Sequence, residues 1–128
     1  MAIHRFLLVV AQPAFQCPVD VVKSLHEVIR VARDEVAIML MRGDVLIGTM
    51  GLMKPKWWYG DGDFLTDRWH FVLPELMNTP DGGLLLDEAV AIAKAADLKF
   101  YHQGKIRPAR NGVHLMMPRV YDPALAVG

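Results

Sequence analysis

The segment VLPELMNTPDGGLLLDEA, residues 72 to 89, has the spacing of an anion-binding turn. A predicted strand ends near Pro74, and a short loop leads to Gly82 and Gly83 at the start of a predicted helix. The first N–H groups of a helix lack partners within the helix, and the helix dipole adds positive charge there. Such a turn can bind a phosphate group, and glycine lets the ligand approach the backbone. The segment is therefore a candidate phosphate-binding loop.

The same segment resembles the signature of the GNAT acyltransferase superfamily. That signature is V-x-P, then Arg or Gln, a glycine-rich turn, and a helix that begins with two leucines. The matching residues are Val72 and Pro74 for V-x-P, Met77 for Arg or Gln, Asn78 and Pro80 for two glycines, Gly82 for the last glycine, and Leu85 and Leu86 for the leucines. The preceding VLIGTMGLM is also similar to a strand of this family, and the resemblance covers about residues 36 to 103.

The resemblance implies an α/β (α+β) fold with a mixed, mostly antiparallel sheet flanked by helices and a shortened C-terminal part. It also implies acetyl-CoA as cofactor and an amine, which the sequence does not identify, as acceptor. The backbone of Phe71, Val72 and Leu73 would pair with the pantetheine arm. The loop residues that would hold the cofactor are Met77, Asn78, Gly82, Gly83 and Leu84.

The catalytic residues of such an enzyme would be a base and an acid. Asp67 lies near the position where some members of the family carry a catalytic carboxylate, and His70 and Glu75 are alternatives on the same strand and loop. His70 needs the least adjustment of its pKa to act near neutral pH. The helix that carries the family's acidic tyrosine is not recognisable here, and Tyr101 and Tyr121 are the remaining candidates.

Three residues depart from the family pattern, and each weakens anion binding. Met77 lacks a polar side chain, Pro80 has no N–H group, and Asp81 places a carboxylate beside the expected pyrophosphate. The loop also has an explanation that requires no ligand, because Thr79 as N-cap, Pro80 and Asp81 form a strong helix start. The chain is then either an N-acyltransferase or a catalytically inactive GNAT-like binding or structural module, as in a phage or mobile-element assembly.

The elements that must position these residues begin with a predicted buried strand over Phe6 to Val10. A helix is predicted from Pro18, because apolar residues recur at three- and four-residue steps. The residues of this predicted apolar face are Val21, Val22, Leu25, Val28, Ile29 and Ala32.

Three strands of a meander are predicted next. EVAIMLMRGDVLIGTMGLM contains two of them, joined by a tight turn at Arg42-Gly43-Asp44, and FLTDRWHFVLPEL contains the third. A helix with the apolar stripe Leu85, Ala89, Ile92 and Ala96 follows, and then a strand at LKFYH that should run parallel to the third. The tail, from residue 104 onward, leaves room for a short helix and a short strand.

Length and composition predict a single domain over residues 1 to 128. Positive and negative residues balance, so nucleic acid is not favoured as a partner, and Cys17 is the only cysteine. The apolar runs are too short to span a membrane and no signal peptide is visible, so we expect a cytoplasmic protein without a membrane partner. Homo-oligomerisation or assembly into a larger protein complex stays open.

Other groups of residues have alternative interpretations. The adjacent aromatics Trp57, Trp58 and Tyr59 could line an acceptor pocket or an interface, or could cap the sheet edge. The basic run from Lys99 to Arg119 could hold a phosphate of coenzyme A, serve a nucleic-acid accessory function, or be a solvated surface. The five histidines show no metal-ligand spacing, so no metal site is predicted.

Overall fold

A mixed sheet forms from the apolar runs that turn residues separate in the sequence. The computed structural model describes residues 1–12, 15 and 17–102, together with the backbone of short strands at 106–108, 114–116 and 119–121. Strands β1 (Val36–Arg42) and β2 (Val45–Met53) are antiparallel, and the predicted turn between them contains Gly43 at a positive φ of 59°. β3 (Leu65–Val72) pairs antiparallel with β2, as the predicted meander requires.

The chain crosses over after β3 through helix α3, which is labelled in chain order after two N-terminal helices. α3 covers Leu84–Ala95, and β4 (Phe100–His102) then pairs in parallel with β3. Both the helix and the parallel pairing confirm the sequence prediction. Within the predicted stripe, Leu85 and Ala89 are buried, whereas Ala93 replaces Ala96 on the buried face.

The tail contains three short strands in the described residues. β5 (Ile106–Pro108) and β6 (His114–Met116) form a separate antiparallel pair, and β7 (Arg119–Tyr121) pairs antiparallel with β4. The main sheet therefore has the order β1-β2-β3-β4-β7 and is mixed and mostly antiparallel, as expected. The predicted short helix is not found in the part of the tail that the structure describes, which forms short strands instead.

The N-terminal segment corrects the sequence prediction of a strand over Phe6 to Val10. α1 covers Ala2–Phe6, and a π-helical turn continues it over Leu7–Ala11. Ile3, Leu7 and Ala11 are buried, and they lie four residues apart. A short apolar run is compatible with a buried strand or a buried helix face, and the step of four shows that this one is helical.

α2 covers Val21–Asp34, so the predicted helix is confirmed but begins three residues after Pro18. Asp20 is its N-cap, and the carboxylate accepts a hydrogen bond from the Lys23 N–H at 2.9 Å. The predicted apolar face is wrong in part. Val28 is buried as expected, and Val31, which is outside the predicted face, is also buried. Four residues of the predicted face are exposed instead, namely Val21, Val22, Ile29 and Ala32.

The core lies on both faces of the sheet. One cluster joins α1, the π-helical turn and α2 to the sheet, and its buried residues are Ile3, Phe6, Leu7, Ala11, Val28, Val31 and Trp69. The other lies between the sheet and α3, and its buried residues are Met50, Leu52, Leu65, Leu85, Ala89, Ala93 and Phe100. None of the helices described is both long and apolar enough to cross a bilayer.

Candidate functional site

A β-bulge in β3 brings two candidate side chains to the same face of the sheet. Gly51 pairs with Trp69 whereas Leu52 pairs with Asp67, so Arg68 is an extra residue in β3. Successive side chains of a regular strand alternate between faces, and residues three apart would then lie on opposite faces. The bulge reverses this alternation, so Asp67 and His70 both lie on the face covered by α3.

β4 adds a third side chain to this face. Leu65 pairs in parallel with Phe100, so His102 lies beside Asp67 two residues further along both strands. His102 Nδ1 lies 3.1 Å from Asp67 Oδ2, and the two side chains are only 13% and 5% exposed. The rings of His70 and His102 have their centroids 5.1 Å apart. We call Asp67, His70 and His102 the β3–β4 cluster.

The environment of the cluster sets the charge on His70. Burial lowers the pKa of His70 to about 4, and the nearby His102 adds to this effect, while the Asp67 carboxylate opposes it. His70 is therefore neutral at neutral pH and offers an unprotonated nitrogen. A neutral imidazole can accept a hydrogen bond or bind a cation, but with this pKa His70 holds a transferred proton poorly.

The hydrogen bond to Asp67 orients the ring of His102. An ionised carboxylate can only accept hydrogen bonds, so with Asp67 in that form the hydrogen bond at 3.1 Å assigns a proton to His102 Nδ1, which donates to Asp67 Oδ2. The lone pair of Nε2 then points away from Asp67. This arrangement fixes both the tautomer and the orientation of a group that can accept a proton.

The edge of β3 that faces β4 is unpaired over the rest of the strand, and we call this part the open edge. The pairing of β3 with β4 includes Leu65 and Thr66 only, and no described strand pairs with that edge further along. The Leu73 N–H donates to the Ile47 carbonyl of β2 at 2.9 Å. Because backbone groups alternate between the two edges of a strand, the N–H and C=O of Val72 point toward the open edge.

The three residues predicted to pair with a pantetheine arm direct their backbone groups to different edges of the strand. The backbone of Val72 faces the open edge, as the prediction requires. Phe71 pairs with Thr49 and Leu73 bonds to Ile47, so their backbone groups are used on the β2 side. Val72 is therefore the member of the predicted set whose backbone N–H and C=O face the open edge.

The loop from Pro74 to Gly83 is closed by its own hydrogen bonds. Thr79 Oγ1 accepts from the Gly82 N–H at 3.1 Å and donates to the Leu76 carbonyl at 2.6 Å. The Gly83 N–H donates to the Thr79 carbonyl at 3.2 Å. Thr79 thus supplies the capping acceptor expected from the sequence, and two amides predicted to hold a phosphate already have partners.

The glycines of this loop have different structural roles. Gly82 packs so close to Leu76 that an added Cβ would overlap the carbonyl oxygen of Leu76, so this glycine is required by the loop itself. An added Cβ at Gly83 would meet nothing within 4 Å. Asn78, at a position usually glycine in the GNAT family, has a φ of 63°, a conformation that asparagine tolerates better than most residues.

The remaining predicted cofactor residues lie at the surface of the loop. Met77 and Leu84 are 50% and 48% exposed, so neither apolar side chain is used by the core. A 3₁₀ turn over Asp81–Gly83 leads into α3, and Leu84 is the first residue of that helix. Thr79 therefore caps the 3₁₀ turn, and the α-helix begins after it, five residues beyond the N-cap predicted at Thr79.

Two predicted catalytic residues are not brought into the β3–β4 cluster. Glu75 is exposed in a 3₁₀ turn over Pro74–Leu76. Tyr101 pairs with Thr66 on the face opposite Asp67, and its ring contacts Trp57 with centroids 5.1 Å apart. The side chain of Tyr121 lies outside the described residues.

Trp57 anchors an aromatic cluster on that opposite face. Its ring stacks on Phe64 at 4.3 Å and on Tyr59 at 5.6 Å. Trp58 is 92% exposed, so the three adjacent aromatics divide between packing and solvent, as the sheet-edge interpretation expects. Within the basic run from Lys99 to Arg119, the side chains beyond His102 lie outside the described residues.

His102 is the residue that the sequence analysis missed as a site residue. The available signal was the predicted parallel pairing of LKFYH with the strand that contains Asp67 and His70. The spacing of histidines along the chain gave no sign of a metal site, because such spacing shows only ligands that are close in sequence. The structure brings the ligand-type atoms of Asp67, His70 and His102 within 4.8 Å of one another.

No protein-family model matches the sequence, and no curated protein matches it either. Solved structures do match the fold. A GNAT family acetyltransferase from Staphylococcus aureus aligns with a TM-score of 0.54 at 15% identity, over 75% of this chain and 71% of the other. The Bacillus subtilis N-acetyltransferase YlbP, solved in complex with coenzyme A, aligns with a TM-score of 0.51 at 18% identity, over 86% and 85%. The chain therefore has a GNAT-like fold.

Proposed function

We propose that the protein is an acyl-CoA-dependent N-acyltransferase that moves an acetyl group to an amine. The observation that carries the proposal is the β3–β4 cluster, which places an oriented imidazole on the strand next to the open edge at Val72. The coenzyme A complex of a protein with a similar fold supports acetyl-CoA as the acyl donor.

The described residues fit an acyl-CoA in part. The N–H and C=O of Val72 are free of β2 and can pair with the amides of a pantetheine arm. The open space at Gly83 permits close approach of a ligand to the helix start. The N–H groups of Gly82 and Gly83 already have partners, so fewer donors are left for a pyrophosphate group. The affinity for acetyl-CoA would therefore depend more on contacts with the pantetheine arm than it would with a glycine-rich loop.

His102 is the proton acceptor in this proposal. Acetyl-CoA, when bound, would supply a thioester whose acyl carbon an amine can attack, with the C–S bond broken and coenzyme A released as a thiolate that takes a proton from water. The Nε2 atom of His102 accepts the proton that the amine loses, and the Asp67 carboxylate stabilises the resulting imidazolium through Nδ1. His70 is neutral and serves as a hydrogen-bond acceptor that orients the amine.

The test is a thiol-release assay with acetyl-CoA and a panel of primary amines, in wild type and His102→Gln. The matched control is His26→Gln, because His26 is exposed on α2, which packs on the face of the sheet opposite to the β3–β4 cluster. Loss of the base should lower the rate about 100-fold or more, as for general bases elsewhere. Equal rates for His102→Gln and wild type would exclude His102 as the base.

The second candidate function is a GNAT-like binding or structural module without catalysis. The observation that favours it is the loop from Pro74 to Gly83, which Thr79 caps without a ligand. This module would bind a protein partner or a second copy of the chain in a larger assembly. Failure to bind acetyl-CoA or coenzyme A at millimolar concentration would favour it over the enzyme.

A further inference from the structure

We propose that Asp67, His70 and His102 form a binding site for Zn²⁺. This inference does not rest on the proposed acyltransferase activity, since the metal can be detected directly. It rests on the position of three ligand-type side chains from two adjacent strands on one face of the sheet.

The distances between the ligand atoms are close to those of a metal site. One ligand atom from each residue lies within 4.8 Å of the other two. A tetrahedral Zn²⁺ with ligands at about 2.1 Å holds neighbouring ligand atoms about 3.4 Å apart. His102 Nδ1 and Asp67 Oδ2 are already 3.1 Å apart. Binding of the metal would replace the hydrogen bond between them, and the proton of a neutral His102 ring would then lie on Nε2. Rotation of the His70 ring would bring its nitrogen closer to the other two ligand atoms.

The types of ligand select a transition metal. Two imidazoles and one carboxylate match the donors that Zn²⁺ binds, whereas Mg²⁺ and Ca²⁺ prefer sites built from oxygen. Three protein ligands leave a fourth position for water or for an anionic ligand. The site thus has the ligand number of an open zinc site.

The fold holds these ligands in place before any metal binds. Asp67 is 4% exposed, and it pairs across the sheet with Leu52, which is fully buried. The bulge at Arg68 sets the orientation of His70 relative to Asp67, and His70 pairs with the buried Met50. Because the strands fix the Cα positions, a metal would order few additional groups, which favours binding.

A bound Zn²⁺ would occupy the same groups that the proposed acyltransferase uses. With the His102 ring and the Asp67 carboxylate as ligands, His102 could not accept a proton from the amine. This consequence alone rests on the proposed function, and it predicts that Zn²⁺ inhibits acetyl transfer while chelation restores the activity.

The test is a calorimetric titration of Zn²⁺ alone into the metal-free full chain. The Cys17→Ser background removes an exposed thiol that would bind Zn²⁺ separately. We expect one Zn²⁺ per chain and a loss of affinity of more than about 100-fold in both His70→Ala and His102→Ala, since even outer-shell changes lower affinity 10- to 100-fold. His26→Ala is the matched control and should leave the affinity unchanged.

Histidine-ring NMR of the Cys17→Ser protein makes the test independent of whether the alanine variants fold. Binding at the site should shift the ring resonances of His70 and His102 together at one equivalent and leave those of His26 in place. The proposal is overturned if no Zn²⁺ binds, or if the resonances of His70 and His102 do not respond. Neither result would alter the acetyl-transfer assay in metal-free buffer, so the two proposals fail separately.

Discussion

A pair of alanine substitutions in the loop tests whether Gly82 and Gly83 have the different roles that the structure assigns. A Cβ at Gly82 would overlap the backbone carbonyl of Leu76, which cannot move as a flexible side chain could. Overpacking of this kind costs about 1 to 3 kcal/mol, and contact with backbone places Gly82→Ala at about 3 kcal/mol. For a chain of this length the melting temperature should fall by about 10 °C.

Gly83→Ala is the matched control for that substitution. Gly83 has φ −82° and ψ −10°, a conformation that alanine adopts, and the added methyl group meets nothing within 4 Å. The substitution should stabilise the protein by about 0.4 to 1 kcal/mol, because alanine restricts the unfolded chain more than glycine does. A methyl group at this helix start would nevertheless obstruct a phosphate that approaches the backbone.

Urea unfolding followed by circular dichroism measures the free energy of unfolding of wild type and both variants. We expect a large loss for Gly82→Ala and no loss for Gly83→Ala. If Gly82→Ala lies within about 0.5 kcal/mol of wild type, which is the range of a neutral surface substitution, the close approach to Leu76 does not constrain the loop. Equal losses for the two variants would show that Gly82 and Gly83 do not have different roles in the loop.

Two further predictions concern the sheet. NMR titration should find the pKa of His70 near 4, well below 6.5, so this residue favours folding above about pH 6.5 and its contribution is lost as the pH falls toward 4; a value near 6.5 would contradict its burial. Trp57→Ala should destabilise the protein by about 2 to 3 kcal/mol because its ring packs on Phe64 and Tyr101, whereas Trp58→Ala should change stability by less than about 0.5 kcal/mol, both measured by thermal unfolding.

The elements that the sequence predicts best are those with a clear pattern and a clear boundary. The hairpin around Gly43 follows from two apolar runs separated by turn residues, and α3 follows from its apolar stripe and from the turn that Thr79 caps just before it. The parallel pairing of β3 with β4 follows from the crossover through that helix. Local chemistry and chain connectivity were sufficient in these cases.

The elements that the sequence does not predict depend on packing between distant segments. The apolar run from Phe6 to Val10 is too short to distinguish a strand from a buried helix, and its packing with Val28 and Val31 decides the outcome. The face of α2 is set by the same contacts. In each case the contact partner lies far away in the sequence.

The candidate site depends on a feature with no visible sequence signal. Asp67 and His70 share a face only because Arg68 is a bulge residue, and a regular strand would separate them. His102 joins them through the register of β3 with β4, which a prediction of parallel pairing alone does not specify. The sequence alone therefore does not show that His102, and not only His70, lies beside Asp67.

The most direct test of the central claim, that this GNAT-like fold binds an acyl-CoA for transfer, is calorimetric titration of acetyl-CoA into the purified protein. Asp81→Ala is the informative variant, because it removes the carboxylate beside the expected pyrophosphate without changing the Thr79 cap. We expect binding in the micromolar range by wild type and tighter binding by Asp81→Ala. An absence of heat with both proteins at millimolar acetyl-CoA would show that the protein does not bind an acyl-CoA, and the structural module would then be the better proposal.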